Sequence, residues 1–225
     1  MAVTYEQVPA VLLVEDLSLY PRLQVDDHHV ARLAEALRAG ASLPPVVADR
    51  ATKRIVDGFH RRRAALRVFG ETATIAVEFH DYADEAAIVL DAIRRNAAHG
   101  KRLSTAEEVR CLLIAERVGI DRAAVAAALA VRVERLEELA QKRVADGPTE
   151  RVVLKPAMTH LAGKRVNAEQ ERVNRHLNGN QASYYARMLI ELLESDAIDW
   201  SNRTLVERLE RLYELLAERL CARAA

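Results

Sequence analysis

The stretch IVDGFHRRRAALRVFG, residues 55–70, decides how this chain reads. A short apolar run, Ile55-Val56, ends at Asp57-Gly58, and a helix-period segment runs from about His60 to Phe69 and stops at Gly70. Gly58 permits a tight turn with close backbone approach, and Ala64, Ala65, Val68 and Phe69 form the face that packs inward. Arg61, Arg62 and Arg63 stand in the first turn of the helix, where the macrodipole favours acidic side chains. An anion is therefore expected there. Free amides at a helix start combined with guanidinium forks make a phosphate or carboxylate site. The competing reading places the three arginines on a solvated face.

The flanks complete a compact α/β module. Upstream, VPAVLLV (residues 8–14) is a candidate strand, and HHVARLAEALRAG sets Val30, Leu33, Ala34 and Leu37 on one helical face before Gly40. The runs Val46-Val47-Ala48 and Ile55-Val56, joined by a polar turn, predict a hairpin. Downstream, the alternation in TIAVEF (residues 74–79) predicts another strand. After Asp84 the strand signals vanish. Helical segments follow at DEAAIVLDAIRRNAAH, STAEEVRCLLIAERVG, DRAAVAAALA and VERLEELAQKRVA, the second opened by the capping-box pair Ser104 and Glu107. Asp146-Gly147-Pro148 marks a boundary, an NGNQ turn falls near Asn178 to Gln181, and a last helix starts near Asn202.

Composition narrows the function classes. Half of the 225 residues are hydrophobic and only 4% aromatic, too apolar for a disordered chain, and few glycines and prolines favour helix. Thirty-three basic residues balance thirty-three acidic ones, so any grip on phosphate is local rather than a general basic coat. Cys111 and Cys221 are far apart and lack a metal-ligand pattern, which predicts core filling rather than a disulfide or zinc site. With no basic leader and no apolar run of membrane-spanning length, the sequence predicts a cytoplasmic protein. The adjacent His28 and His29 point different ways on a helix and read as surface or cap residues.

Three ordered stretches resemble a known family. VDGFHRRRAALRVFG is similar to the GERRxRA phosphate motif of the ParB N-terminal domain, in the ParB/sulfiredoxin-like superfamily. PRLQVDDHHVARLAEALRAGASLPPVV resembles the family's arginine, helix, glycine and proline that precede it, and RRNAAHGKRLSTAEEVRC resembles its asparagine-containing third motif with the LSxxE helix start. The resemblance implies an α+β ParB/sulfiredoxin-like domain followed by an all-helical part, mainly helical overall. It implies binding of CTP, or another nucleotide, with Mg2+, in a module that acts as a nucleotide-controlled clamp on DNA. By position, Arg22 approaches the nucleotide, Asp57, Gly58, His60, Arg61, Arg62 and Arg63 surround its phosphates, and Asn96 stands on the metal side with His99 near it. Arg95 occupies the place of the family's glutamate, which removes a carboxylate from the metal side.

Relatives on the same core supply alternatives. Phe59 stands where sulfiredoxin has its reactive cysteine, and a phenyl ring is no nucleophile. Free-serine kinases on this scaffold carry a DGxHR-like string matched by Asp57, His60 and Arg61, which keeps a small-molecule kinase in play beside a CTPase-like nucleoside triphosphatase. Asp57 holds a proton or metal in that reading, or caps the next helix.

Residues 122–143 fit a helix-turn-helix, with Ala126 at the helix crossing, Ala130 at the turn, and Leu129, Val131 and Leu136 inward. Arg132, Arg135, Lys142 and Arg143 are its candidate DNA contacts, against Glu134, Glu137 and Glu138 on the same helix; a plain helical bundle is the alternative. A second basic surplus at residues 151–175 adds Lys164 and Arg165. Leu205, Leu209, Leu212, Leu216 and Leu220 form a stripe on the last helix that predicts a homodimer, with packing into the chain's own core as the rival. The expected layout is a nucleotide-binding domain over residues 1–84, a DNA-binding helical domain over 85–147 and a helical C-terminal domain over 148–225. The function it points to is a DNA-binding protein of partition or transcriptional control.

Overall fold

The computed structural model describes residues 5–98, 102–177 and 180–224. The chain divides into two compact units, Met1–Asn178 and Gly179–Ala225. The first is built on a four-stranded sheet from β1 (Glu6–Pro9), β2 (Val46–Asp49), β3 (Ile55–Asp57) and β4 (Thr74–His80), in the order β1-β4-β2-β3. β2 and β3 are the antiparallel hairpin that the two apolar runs predict, while β4 pairs parallel to β2 and antiparallel to β1. The expected strand over residues 8–14 is shorter. Pro9 ends it, having no N–H to extend a ladder, and Ala10–Leu12 turn as a 3-10 helix. The chain then returns beside β3, where the Val14 amide donates to the Lys53 carbonyl and the Ile55 amide to the Val14 carbonyl.

Helices α1 (Asp27–Arg38) and α2 (Phe59–Phe69) pack together through Val30, Ala34 and Ala64. One sheet face buries Leu13, Tyr20, Val46, Ala48, Ile55, Phe59 and Val77. The other contributes Val47 and Val56 to a core shared with α3 (Glu85–Ala98), α4 (Thr105–Arg117), α5 (Arg122–Leu129) and α6 (Val133–Arg143). Ile88, Val89 and Ile93 of α3, Cys111 and Ile114 of α4, Val125 and Ala126 of α5 and Leu136 of α6 close that core. The sheet and the helices after it are therefore one packed body.

The capping box forms as expected: the Ser104 hydroxyl oxygen accepts from the Glu107 amide, and the Glu107 carboxylate accepts from the Ser104 amide. Ala130 joins α5 to α6 in the left-handed region at φ +54, the conformation for which glycine is usual at such a turn.

Beyond α6 the structure adds strands that apolar periodicity does not announce. β5 (Val144–Asp146) and β6 (Arg151–Val153) pair antiparallel, and Asp146-Gly147-Pro148 lie in their connection. At three residues each, these strands are too short to show an alternation. A 3-10 helix (Pro156–Leu161) and α7 (Ala168–His176) follow, packed on Ala145, Leu154, Met158 and Val166. The second unit holds α8 (Ala182–Glu194) and α9 (Arg203–Ala224). α8 buries no residue, and Leu216 and Leu220 of α9 are exposed. Among the described residues no helix is long and apolar enough to cross a membrane.

Candidate functional site

The start of α2 is held open by Gly58. Its φ of +109 is one that L side chains rarely adopt, and a Cβ there would lie 2.9 Å from Val46 Cγ2 and 3.0 Å from Arg61 Nε. No side chain caps this helix, Asp57 included. α1 starts beside it: the Asp26 amide donates to His60 Nε2 at 3.0 Å, while the Asp26 carboxylate accepts from the His28 and His29 amides. The His29 and His60 rings meet edge to face at 4.9 Å. Burial pushes the His60 imidazole down to about 4, and the neighbouring His29 and Arg22 charges act in the same direction. A neutral ring with an unprotonated Nε2 is the form that accepts the Asp26 amide.

Arg22 approaches from the loop before α1. Its Nε donates to Asn96 Oδ1 at 3.2 Å, and its Nη1 lies 3.9 Å from Glu107 Oε2. The segment leading into α1 thus touches both other motifs, through Arg22 to Asn96 and through Asp26 to His60. The approach is fixed from α4, where Arg110 donates to the Tyr20 and Leu17 carbonyls and Arg117 to that of Ser18.

The three arginines of α2 have protein partners, which changes what their sequence position implies. Arg61 donates to the Pro45 carbonyl and pairs with Asp57 at 2.5 Å. Arg62 donates to the Ala10 carbonyl and to Glu15, and Arg63 pairs with the same Glu15 at 2.9 Å. The anion demanded by three cations at a helix start is thus partly supplied from within, by Glu15 and Asp57. Glu15 is a site residue that sequence reading misses: it lies 47 positions from Arg62, and only the pairing of residues 14 and 55 brings it there. Tyr20 and Arg110 are missed for the same reason, being placed by tertiary packing.

Asn96 is buried, its carbonyl accepting from Arg22 and its amide donating to the Ala92 carbonyl. Glu107 is held in its capping box, and Arg95 pairs with Asp91 at 2.8 Å. Among the described residues no three His, Cys, Asp or Glu side chains are grouped as metal ligands. These donors do not fit a resident magnesium ion at Asn96. His99, the remaining residue of this set, lies outside the described residues, as do Asn178 and Gly179 of the expected NGNQ turn.

The second group of candidates sits at the far end of the helical part. Arg132 is exposed as the N-cap of α6, and Arg135 is exposed but pairs with Glu108 at 2.8 Å. Lys142 and Arg143 close the last turn of α6, directly before β5. Lys164 and Arg165, both exposed, run alongside β5: the Asp146 amide donates to the Lys164 carbonyl and the Val166 amide to the Asp146 carbonyl. Backbone pairing therefore gathers Lys142, Arg143, Lys164 and Arg165 around one strand, a grouping hidden by their separation in sequence.

The chain is similar to ParB N-terminal domains. It aligns with the chromosome-partitioning protein ParB from Caulobacter crescentus complexed to the centromeric parS site at a TM-score of 0.43 and 18% identity, covering 60% of this chain and 69% of that one. The same protein complexed with CTP-γ-S gives a TM-score of 0.38 at 18% identity, with 60% and 76% covered. A pNOB8-like ParB N-domain gives 0.39 at 16% identity, with 78% and 60% covered. A Streptomyces griseus protein described as a "Streptomycin biosynthesis operon possible regulatory protein" is 39% identical over 79 residues, which is 35% of this chain and only 21% of that relative. No protein-family model matches the chain.

Proposed function

We propose that this chain is a ParB-like regulator that binds a nucleotide at the start of α2 and duplex DNA through α6 and the strands after it, as a homodimer. The observation that carries the reading is that the segment leading into α1 joins the other two motifs, Arg22 bonding Asn96 and the Asp26 amide bonding His60, beside a helix start that no side chain caps among the described residues. Such an end offers free amides and a positive dipole to a phosphate, with Arg22 beside it. Arg61, Arg62 and Arg63 are engaged by Asp57 and Glu15, and Arg22 by Asn96 and Glu107, so the phosphate contacts fall first to the α2 amides, with Arg22 and Arg63, the most exposed of the three helix arginines, beside them. The Caulobacter protein solved with CTP-γ-S and with parS makes CTP and DNA the first ligands to test.

The left-handed turn at Ala130 between α5 and α6 supports reading them as a helix-turn-helix, with Arg132 at the start of the second helix. Lys142, Arg143, Lys164 and Arg165 add a phosphate-gripping cluster, while Glu134 and Glu138 limit general stickiness. The uncovered leucines of α9 support self-association, since an apolar stripe left in water favours a partner helix. Asp57, held by Arg61, has one oxygen committed, which weighs against the proton-abstracting role that a serine kinase would ask of it.

One binding panel tests this reading. CTP, ATP and ADP are titrated with and without duplex DNA and with and without Mg2+, followed by an assay of phosphate transfer to free serine. Nucleotide binding, DNA binding that weakens steeply with salt, and no transfer are expected. Transfer to serine, or failure to bind either ligand, overturns it.

A further inference from the structure

Tyr20 presents a buried hydroxyl without a partner. The residue is 3% exposed, and its oxygen makes no hydrogen bond among the described residues. Buried hydroxyls are nearly always satisfied, because leaving one unpaired forfeits its hydration without return. The defect is held in place rather than relieved. The Tyr20 ring packs on Phe59, the first residue of α2, with centroids 4.3 Å apart, and the Tyr20 carbonyl is anchored by Arg110. The charges of Arg22, Glu107, Asp57 and Arg63, two of each sign, act on the phenol. It therefore lies with the uncapped start of α2 and with Arg22, two other donors at the same end of the sheet.

We infer that the Tyr20 hydroxyl is a ligand-binding group of this site, donating its proton to a phosphoryl oxygen of a nucleotide held at the start of α2. The inference rests on the nucleotide reading above and deepens it by adding a neutral donor. The helix amides and the Arg22 and Arg63 guanidiniums attract an anionic acceptor, while the Glu107 and Asp57 carboxylates oppose it. Burial raises the phenol above its ordinary range, so the hydroxyl keeps its proton at every pH at which the protein is handled. A ligand oxygen here would remove an unsatisfied polar group and gain a hydrogen bond in one step.

The test is Tyr20→Phe in the full chain, with CTP and inorganic pyrophosphate as calorimetric probes and thermal unfolding of the free protein as a second readout. The expected result is roughly tenfold or greater loss of affinity for both probes, with the free variant as stable as the parent or more so. Unchanged affinity overturns the inference while leaving the nucleotide reading standing. A free variant that is less stable or does not fold also overturns it, because the hydroxyl would then be paired within the protein. Failure of the parent protein to bind either probe overturns both.

Discussion

Replacing Glu15 by Gln tests whether the arginines of α2 are as much a folding device as a binding one. Glu15 Oε1 accepts from Arg62 at 3.1 Å and its Oε2 pairs with Arg63 at 2.9 Å, and its side chain is only 14% exposed. Glutamine keeps the shape but removes the charge and turns an NH2 toward two guanidiniums. Removing one partner of a fully buried pair costs about 3–5 kcal/mol. Arg63 is 34% exposed, so water takes up part of that loss, and about 2 kcal/mol remains. For a chain of this size that corresponds to a melting temperature lower by roughly 4–8 °C, read by circular dichroism or scanning calorimetry. In an Arg63→Ala background the same substitution should cost about 1 kcal/mol less, because the two side chains interact directly. A shift within roughly 1 °C, or strictly additive effects, would refute the reasoning.

Gly58→Ala should destabilise by roughly 1–3 kcal/mol in chemical denaturation, because φ is +109 and the new Cβ meets Val46; a neutral result would mean the turn is not held as described. For His60, the folded pKa of about 4 lies below the ordinary 6.5, so the unfolded chain binds a proton that the folded one does not. Stability contributed by the neutral ring is present above about 6.5 and lost as pH falls toward 4. His60→Gln, which retains an acceptor for the Asp26 amide, should flatten that slope, and an unchanged slope would place the acid sensitivity elsewhere. Burial pushes the Cys111 thiol up to about 12, whereas Cys221 is exposed. An aromatic disulfide reagent should therefore label Cys221 in the native protein and reach Cys111 only after denaturation; fast native labelling of Cys111 would contradict its place in the core.

Much of the fold was legible because it depends on local signals. The hairpin of β2 and β3, the stop at Gly70 and the Ser104 and Glu107 capping box are set by residues near one another in sequence, and each stands where the pattern puts it. Residues 8–14 read as a strand because apolar content says nothing about the break that Pro9 imposes. β5 and β6 escaped because two three-residue strands carry too little periodicity. At the site, the stretch around Arg22 bonds the other two motifs, through Arg22 to Asn96 and the Asp26 amide to His60. The motifs did not show that Glu15 neutralises Arg62 and Arg63, that Asn96 is engaged by Arg22, or that the Tyr20 hydroxyl has no partner among the described residues. Those facts depend on long-range register and packing, which residue types at a given spacing do not encode.

The central claim, that the start of α2 with Arg22 is a nucleotide phosphate site, is tested most directly by calorimetric titration of CTP into the parent chain and into Arg22→Ala. The account predicts measurable binding by the parent and an affinity at least roughly tenfold weaker in the variant, the loss expected for a charge-assisted contact. Equal affinity in the two proteins, or no binding by the parent, would contradict it.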